Sequence, residues 1–287
     1  MCNFAFYSNI SHMITFPNAK INIGLYITSR RDDGYHEIVT AMIPTDWRDI
    51  LEIVPAKGNG TTLTVTGRSV DCPAEKNLVM RAYRAMASQY DLPDVDIYLH
   101  KIIPDGAGLG GGSADAAFTI RTLNEMFELG LSDDTMAEIA STIGSDCPFF
   151  IYNRPMLATG TGTTLAPIDF SKEGYRLVIV KPREYVSTAE AYGSCMPKPC
   201  ETPLTEILAE TPPEEWAKNN VVNDFEATVF PLHPRIAEVK ASLYRLGAAY
   251  ASMSGSGASV FGIFGRDILP DEIQQTFPGM DFHISTL

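Results

Sequence analysis

Between residues 19 and 27 the chain alternates, with Ala19, Ile21, Ile23, Leu25 and Ile27 on one side and Lys20, Asn22, Gly24 and Tyr26 on the other. A period of two predicts a half-buried strand, and it sends Lys20 and Asn22 the same way. After Asp32-Asp33-Gly34, which is turn chemistry, residues 36–43 alternate again, so the two segments read as a hairpin or as adjacent strands with Tyr35 and His36 at an entrance. Further strands are expected at 50–55, 61–66 and 95–102. A helix is expected where Leu78, Ala82 and Met86 recur every four residues.

A glycine-rich stretch then leads to Ser113, which opens a helical pattern of Ala116, Ile120, Leu123 and Phe127. Ser132 reads as the cap of a second helix, with Asp133 and Asp134 in its first turn and Met136, Ile139, Ala140 and Ile143 on one face. Gly144 stops it, and Asp146 lies just beyond. The chain loosens over 165–173, forms a short strand at 177–180 and turns at Lys181-Pro182. Residues 184–213, rich in Pro, Thr and Glu, read as irregular. A helix at 234–245 and strands at 249–253 and 259–264 follow, the strands flanking Ser254-Gly255-Ser256-Gly257. This mixture predicts an α+β chain divided near residue 168.

The chain has 287 residues, 45% of them hydrophobic and 20% charged, which is globular composition. Its 22 Lys and Arg against 35 Asp and Glu leave a formal charge of −13, with no basic run to grip nucleic acid or anionic lipid. An anionic ligand must therefore be attracted locally. Cys2, Cys72, Cys147, Cys195 and Cys200 are odd in number and show no metal-binding spacing, which fits free thiols in a reducing compartment. Cys147, beside Asp146, is a candidate for reaction with electrophiles. The uncharged window 246–265 is too rich in Gly and Ser to span a membrane and reads as buried strand and loop. The start, MCNFAFYSNISH, lacks the basic and apolar regions of a secretory signal, which makes the Asn9 sequon irrelevant and predicts a cytoplasmic protein.

The strongest chemistry lies in Pro104-Asp105-Gly106-Ala107-Gly108-Leu109-Gly110-Gly111-Gly112-Ser113-Ala114. Five glycines in seven residues between strand and helix let successive N–H groups converge on phosphate oxygens at a helix N-terminus. Gly106, Gly108 and Gly111 also satisfy G-x-G-x-x-G, but no acidic residue ends a strand about twenty positions on, as a dinucleotide site requires. The lysine of a P-loop is absent from Gly111-Gly112-Ser113, and so are the H-R-D and D-F-G segments of protein kinases. Another phosphoryl-transfer architecture is indicated.

Pro17-x-Ala19-Lys20-Ile21-Asn22, Gly34-Tyr35-His36, the glycine stretch continuing through Asp115 and Ala116, Gly144-Ser-Asp146-Cys-Pro148-Phe149 and Ser254-Gly255-Ser256-Gly257-Ala258 occur in the order seen in the GHMP kinases. From Met13 to the C-terminus the chain resembles that superfamily. It most resembles the branch that phosphorylates the 2-hydroxyl of 4-diphosphocytidyl-2-C-methyl-D-erythritol in the non-mevalonate isoprenoid route. Residues 1–12 are an extension, and Met13 is an alternative start.

The resemblance implies a first domain over 13–168 like the second domain of ribosomal protein S5 and a ferredoxin-like domain over 169–287, with ATP and acceptor meeting in a cleft. It implies that Asp146 is the catalytic carboxylate and Lys20 the active-site lysine, and that Asn22 belongs to the acceptor site. Tyr35 and His36 match the cytosine end. Tyr192 resembles an opposing aromatic wall, with ordinary packing as its alternative. The stretch 104–114 would bind ATP, and Mg²⁺ is expected with it because adjacent phosphate charges need neutralising. Ser113 offers a hydroxyl to phosphate or Mg²⁺, or else caps its helix. Ser254, Gly255, Ser256 and Gly257 would close around the phosphate and acceptor, or else form a simple turn. The partners implied are ATP and the cytidylated sugar alcohol, without nucleic acid or membrane, in a monomer or homodimer. Rival readings are a kinase of another alcohol such as homoserine or mevalonate, a nucleotide-binding regulator, and a nicotinamide-dependent oxidoreductase.

Overall fold

The computed structural model describes residues 12–70, 72–193 and 195–287. Most of the extension, with Cys2 and the Asn9 sequon, lies outside the described residues. In chain order the elements are β1 (Met13–Thr15), β2 (Asn18–Arg30), β3 (His36–Arg48), β4 (Ile50–Pro55), β5 (Thr62–Gly67), α1 (Leu78–Ala87), β6 (Val95–Lys101), α2 (Gly111–Met126), α3 (Asp133–Ser141), α4 (Cys147–Tyr152), β7 (Met156–Thr159) and β8 (Thr164–Pro167). There follow β9 (Arg176–Lys181), α5 (Thr188–Gly193), α6 (Leu204–Glu210), α7 (Pro213–Trp216), α8 (Glu226–Leu232), α9 (Pro234–Arg245), β10 (Tyr250–Met253), β11 (Val260–Phe264), α10 (Pro270–Thr276) and β12 (Asp281–Thr286).

Contacts divide the described chain into two compact units that interleave along the sequence. The first holds 12–18, 48–103 and 111–153, and the second 19–47, 104–110 and 154–287. In the first unit the sheet order is β1-β4-β6-β5, and the register Leu51↔Leu99 and Ile53↔Ile97 stacks buried apolar residues on one face. β5 runs parallel to β6, a pairing that needs a crossover, and α1 supplies it. Val79, Ala82, Tyr83 and Met86 of α1 recur at helical spacing and are buried, each large one contributing about 1.5–3 kcal/mol by leaving water. Asn77 caps α1 by accepting from the Val79 N–H at 2.9 Å. Ser132 caps α3 as expected, accepting from the Thr135 N–H at 3.2 Å, with Asp133 and Asp134 at the positive end of the helix.

The second unit contains two sheets, ordered β2-β3-β7-β8 and β10-β11-β9-β12. In the latter, β9 is antiparallel to both β11 and β12, β10 pairs with β11, and α10 joins β11 to β12. Read from the other edge this is the split βαββαβ arrangement, so the ferredoxin-like expectation holds. Its core joins Val178, Val180, Met253, Val260 and Phe264 to Ile236, Val239 and Leu243 of α9. Among the described residues no helix is long and apolar enough to cross a membrane.

Three local expectations are corrected. Residues 18–27 of β2 are buried on both faces, not one, because the polar face finds hydrogen-bond partners inside the unit. Residues 184–213 are not irregular throughout, since α5 and α6 fall within them. Ser187 accepts from the Glu190 N–H at 3.1 Å, a cap hidden in Ser187-Thr-Ala-Glu190, and Leu204 and Leu208 bury one stripe of α6. α2 opens at Gly111, two residues before Ser113, because the glycines themselves take up the first turn.

Replacing the α3 cap, Ser132→Ala, is expected to lower the apparent Tm by about 2–4 °C without altering the far-ultraviolet circular dichroism spectrum, the effect of an N-cap worth about 1 kcal/mol.

Candidate active site

On β2, residues two apart share a face, and this places Lys20 beside Asn22. The Lys20 Nζ donates to Asn22 Oδ1 at 2.6 Å, Asn22 Nδ2 donates to Thr40 Oγ1 at 3.1 Å, and Thr40 Oγ1 donates to the Gly24 carbonyl at 2.6 Å. Lys20, Asn22 and Thr40 are all buried. A buried ammonium is costly unless oxygen atoms replace its water, and the Asn22 amide oxygen is one such replacement. Gly24, at φ 64°, turns its carbonyl to meet Thr40, a conformation that disfavours any side chain. Thr40 carries no catalytic pattern of its own. Only its strand register, facing the polar side of β2, could have pointed to it.

The glycine loop is held by its carbonyls. Ala107 accepts from the Ser259 N–H at 3.1 Å, Gly108 from the Ser254 hydroxyl at 2.8 Å, and Leu109 from the Lys20 N–H at 2.9 Å. Three consecutive carbonyls thus turn inward. No protein acceptor among the described residues meets the N–H groups of Gly108 to Gly112. Gly106, Gly108 and Gly110 have φ of 57°, 73° and 71°. At Gly108 an added Cβ would lie 2.1 Å from the Ser254 carbonyl and 3.0 Å from that of Gly257, so two backbones meet where no side chain fits. The chain then enters α2, whose first turn carries no acidic residue. Unpaired amides at the positive end of a sixteen-residue helix suit an anion.

The loop after β10 is itself tied down. Met253 pairs with Val260, the Ser254 N–H donates to the Ser259 carbonyl at 2.9 Å, and the Gly257 N–H donates to the Ser254 carbonyl at 3.0 Å. Ser254 is buried, and Gly255 lies beside the Asn22 side chain, where a Cβ would stand 3.4 Å from Oδ1. Lys20, Asn22, the stretch 106–110 and Ser254 to Gly257 are therefore brought together. Among the described residues no hydrogen-bond partner is found for the Ser256 side chain.

A second group is aromatic. The His36 ring stacks on Tyr192 of α5 with centroids 4.7 Å apart and planes at 18°, and Phe225 meets Tyr192 edge-on at 4.7 Å. Tyr35 does not join this array. The residue is 66% exposed, and its backbone N–H donates to the Asp33 carboxylate at 3.0 Å. Phe225 had no signal in the sequence beyond its hydrophobicity.

In the first unit, Asp146 occupies the N-cap position of α4, but its side chain makes no capping hydrogen bond. The carboxylate is not used as a helix cap, the ordinary role of such a residue. Cys147 next to it is buried, and burial pushes its thiol up to about 11, with the Ser113 hydroxyl as its hydrogen-bond neighbour. So little thiolate at neutral pH argues against the reactivity entertained for it. Cys72, Cys147, Cys195 and Cys200 are all free thiols.

Beneath the first turn of α2 lies a buried charge cluster absent from the sequence reading. The Lys101 Nζ donates to Asp49 and, at 2.7 Å, to Asp115 Oδ2, while Asp49 Oδ1 accepts from the Ile102 and Ile103 N–H groups at 2.5 and 2.8 Å. Burial works to lower the Lys101 pKa, but Asp115 and Asp49 outweigh it and the net shift is upward. Burial first, and then the Asp49 charge, push Asp115 up to about 7 against the pull of Lys101. Asp115 Oδ1 has no hydrogen-bond partner among the described residues. A Cβ at Gly111 would stand 3.3 Å from the Lys101 Nζ, so the cluster supports the residues that start α2. Only Asp115, inside the glycine motif, had a signal in the sequence.

A glycine loop between strand and helix, a buried lysine and a ferredoxin-like sheet together define a GHMP kinase. Family models described as "GHMP kinases N terminal domain" and "GHMP kinases C terminal" match residues 77–154 and 207–278. The chain is 53% identical to a 4-diphosphocytidyl-2-C-methyl-D-erythritol kinase of Parabacteroides distasonis, over 88% of this chain and 92% of that protein. It is 49% identical to one of Bacteroides fragilis, again over 88% and 92%. A crystal structure of 4-(cytidine 5'-diphospho)-2C-methyl-D-erythritol kinase superposes with a TM-score of 0.76 at 29% identity, covering 95% of this chain and 98% of that one. A homoserine kinase of Cytophaga hutchinsonii, with a TM-score of 0.75 at 18% identity over 99% and 98%, shares the fold. The chain belongs to the 4-diphosphocytidyl-2-C-methyl-D-erythritol kinase family of the GHMP kinases, which are ATP-dependent phosphotransferases.

Two outcomes follow from this geometry. Gly108→Ala is expected to weaken binding of an ATP analogue by about tenfold or more, since its Cβ would strike backbone, whereas Gly112→Ala, whose Cβ would meet only Leu78 at 3.6 Å, keeps the wild-type Tm. Calorimetric titration and thermal melts check both. Asp115, raised from 3.8 to about 7, holds its proton more tightly folded than unfolded. Its contribution to stability is therefore full below pH 3.8 and is lost as pH rises towards about 7. Asp115→Asn should gain Tm relative to wild type between about pH 5 and pH 8, and a difference in Tm that stays constant across that range would count against the assignment.

Proposed function

We propose that the chain transfers the γ-phosphoryl group of ATP to the 2-hydroxyl of 4-diphosphocytidyl-2-C-methyl-D-erythritol, giving the 2-phosphate and ADP in the non-mevalonate isoprenoid route. The observation that carries the phosphoryl-transfer half is the glycine loop, whose carbonyls are engaged by Ser254, Ser259 and Lys20 while its amides are left to a phosphate. The choice of acceptor rests on the names of the curated relatives and on the aromatic array of His36, Tyr192 and Phe225.

Transfer is direct and in line, without a phosphoenzyme. The acceptor oxygen attacks the γ-phosphorus, the bond from that phosphorus to the bridging oxygen breaks, ADP leaves with the bonding pair, and the hydroxyl proton passes to Asp146. Lys20 steadies the charge that develops on the transferring group, and Asn22 holds both the lysine and the acceptor in place. The amides over 108–112 bind the phosphates. Ser254 to Gly257 back the loop and border the acceptor, while Pro104, Asp105 and Ala114 shape the ends of the ATP cradle. His36 hydrogen-bonds the cytosine edge. Because its ring already stacks in direct contact with Tyr192, the base stands against the outside of that pair, and exposed Tyr35 is the ring available to cover it.

Magnesium, when bound with ATP, would neutralise phosphate charge. The Ser113 hydroxyl, at the start of α2, is the group this chain would offer to it. The four free thiols fit a reducing compartment, the cytoplasm.

The test is ADP release with magnesium and ATP, comparing the cytidylated acceptor with its uncytidylated sugar phosphate, homoserine and mevalonate. Turnover is expected with the cytidylated acceptor alone, and Asp146→Asn should reduce kcat by about 10²–10⁴ while leaving the fold intact, as should Lys20→Met. His36→Ala should raise KM for the acceptor rather than for ATP. Turnover with another alcohol would reject the cytosine assignment, and full activity of Asp146→Asn would reject the base.

A further inference from the structure

Asn223-Asp224-Phe225-Glu226, a run with no motif meaning in the sequence, lies in the second unit. Its backbone docks on β2, since the Leu25 N–H donates to the Val222 carbonyl and the Asp224 N–H to the Leu25 carbonyl, each at 2.8 Å. Asp224 Oδ2 accepts from the Ile27 N–H at 2.9 Å. Glu226 Oε1 accepts from the Met253 N–H at 2.8 Å and from the Ser252 hydroxyl at 3.1 Å, with Lys240 on its other oxygen at 2.5 Å. The segment thus joins the strand that carries Lys20 to the strand that leads into Ser254.

Asn223 is 2% exposed, and its side-chain amide faces two ways. Nδ2 donates to the Met253 carbonyl at 2.7 Å and to the Gly255 carbonyl at 2.9 Å, while Oδ1 accepts from the Phe225 N–H at 3.0 Å. The donor end therefore fixes the loop whose Ser254 hydroxyl holds Gly108. The acceptor end fixes the residue whose ring supports Tyr192 and, through it, His36. Every hydrogen-bonding atom of the amide is used, so neither end can be moved without leaving a buried polar group unpaired.

We propose that Asn223 is a positioning residue with two separable tasks, its NH₂ group setting the backbone behind the ATP-phosphate loop and its carbonyl oxygen setting the aromatic wall of the acceptor's cytosine site. The second task rests on the cytidine reading given above, and the first does not. Aspartate makes the division testable, because it keeps an oxygen for the Phe225 N–H but turns a donor into an acceptor opposite two carbonyls. Alanine removes both ends.

The experiment titrates CMP and the magnesium complex of a non-hydrolysable ATP analogue separately into wild type, Asn223→Asp, Asn223→Ala and Ser254→Ala, with thermal melts in parallel. Asn223→Asp should weaken the ATP analogue by about tenfold or more and leave CMP within about twofold, whereas Asn223→Ala should weaken both. Ser254→Ala introduces no buried charge, and it should reproduce the loss on the ATP side alone, which keeps the division decidable if Asn223→Asp does not fold. A residue that served stability only would lower Tm and leave both affinities of the folded variants intact, and that result overturns the proposal. Equal loss of CMP and ATP analogue in Ser254→Ala, or in a folded Asn223→Asp, overturns it as well. If wild type binds the ATP analogue and no CMP, the cytidine reading fails and takes the acceptor-end task with it. The donor-end task then still stands or falls on the ATP analogue in Asn223→Asp and Ser254→Ala.

Discussion

The contact on which the site depends is one between backbones. Gly108 lies so close to the carbonyls of Ser254 and Gly257 that even a methyl group would collide, and the approach lets the Ser254 hydroxyl reach the Gly108 carbonyl. With the carbonyls of Ala107 and Leu109 also engaged, the loop's polarity is sorted. Its oxygens are taken by the protein, while the amides over 108–112 meet no protein acceptor among the described residues. On the proposed reading a phosphate would bind a loop whose carbonyls are already held, so little reorganisation would oppose it.

Each unit holds a buried lysine within a polar cluster. Lys20 has a neutral amide oxygen against its ammonium, and the chain of donors continues through Thr40 to the Gly24 carbonyl. Lys101 faces two carboxylates, so its cluster carries an excess of negative charge that burial penalises. That penalty falls on Asp115, whose proton affinity rises towards neutrality and one of whose oxygens lacks a partner. The Lys101 cluster is structural, supporting the strand end at Ile102 and Ile103 and the opening turn of α2.

Much of this was legible in the sequence where the signal was local. Alternation located β2 and placed Lys20 with Asn22, Ser132 announced α3, and the density of glycine marked the loop that leads into α2. Periodicity failed where both faces of an element are buried, because β2 reads as amphipathic while its polar face is satisfied internally. Composition failed over 184–213, where prolines concealed a short capped helix and a second apolar stripe. What could not be read were partners distant in the chain. Asp49 and Lys101 are separated by 52 residues, and Asn223 and Gly255 by 32, and neither pair has a pattern that a single strand or helix would impose. Family resemblance supplied the roles proposed for Asp146 and Tyr192, for which spacing alone gave no warrant.

A surface made of main-chain amides has a consequence for inhibition. Residue identity hardly alters the chemistry of an N–H group, and at Gly108 the neighbouring backbone admits no larger residue. On the proposed reading, a compound anchored on the amides over 108–112 would therefore confront a target with few routes to escape by point mutation, because a substitution able to displace the compound would also disturb the phosphates. A compound anchored on the rings of Tyr35, His36 and Tyr192 would rest on side chains, each replaceable by a single codon change, and resistance would be selected there first.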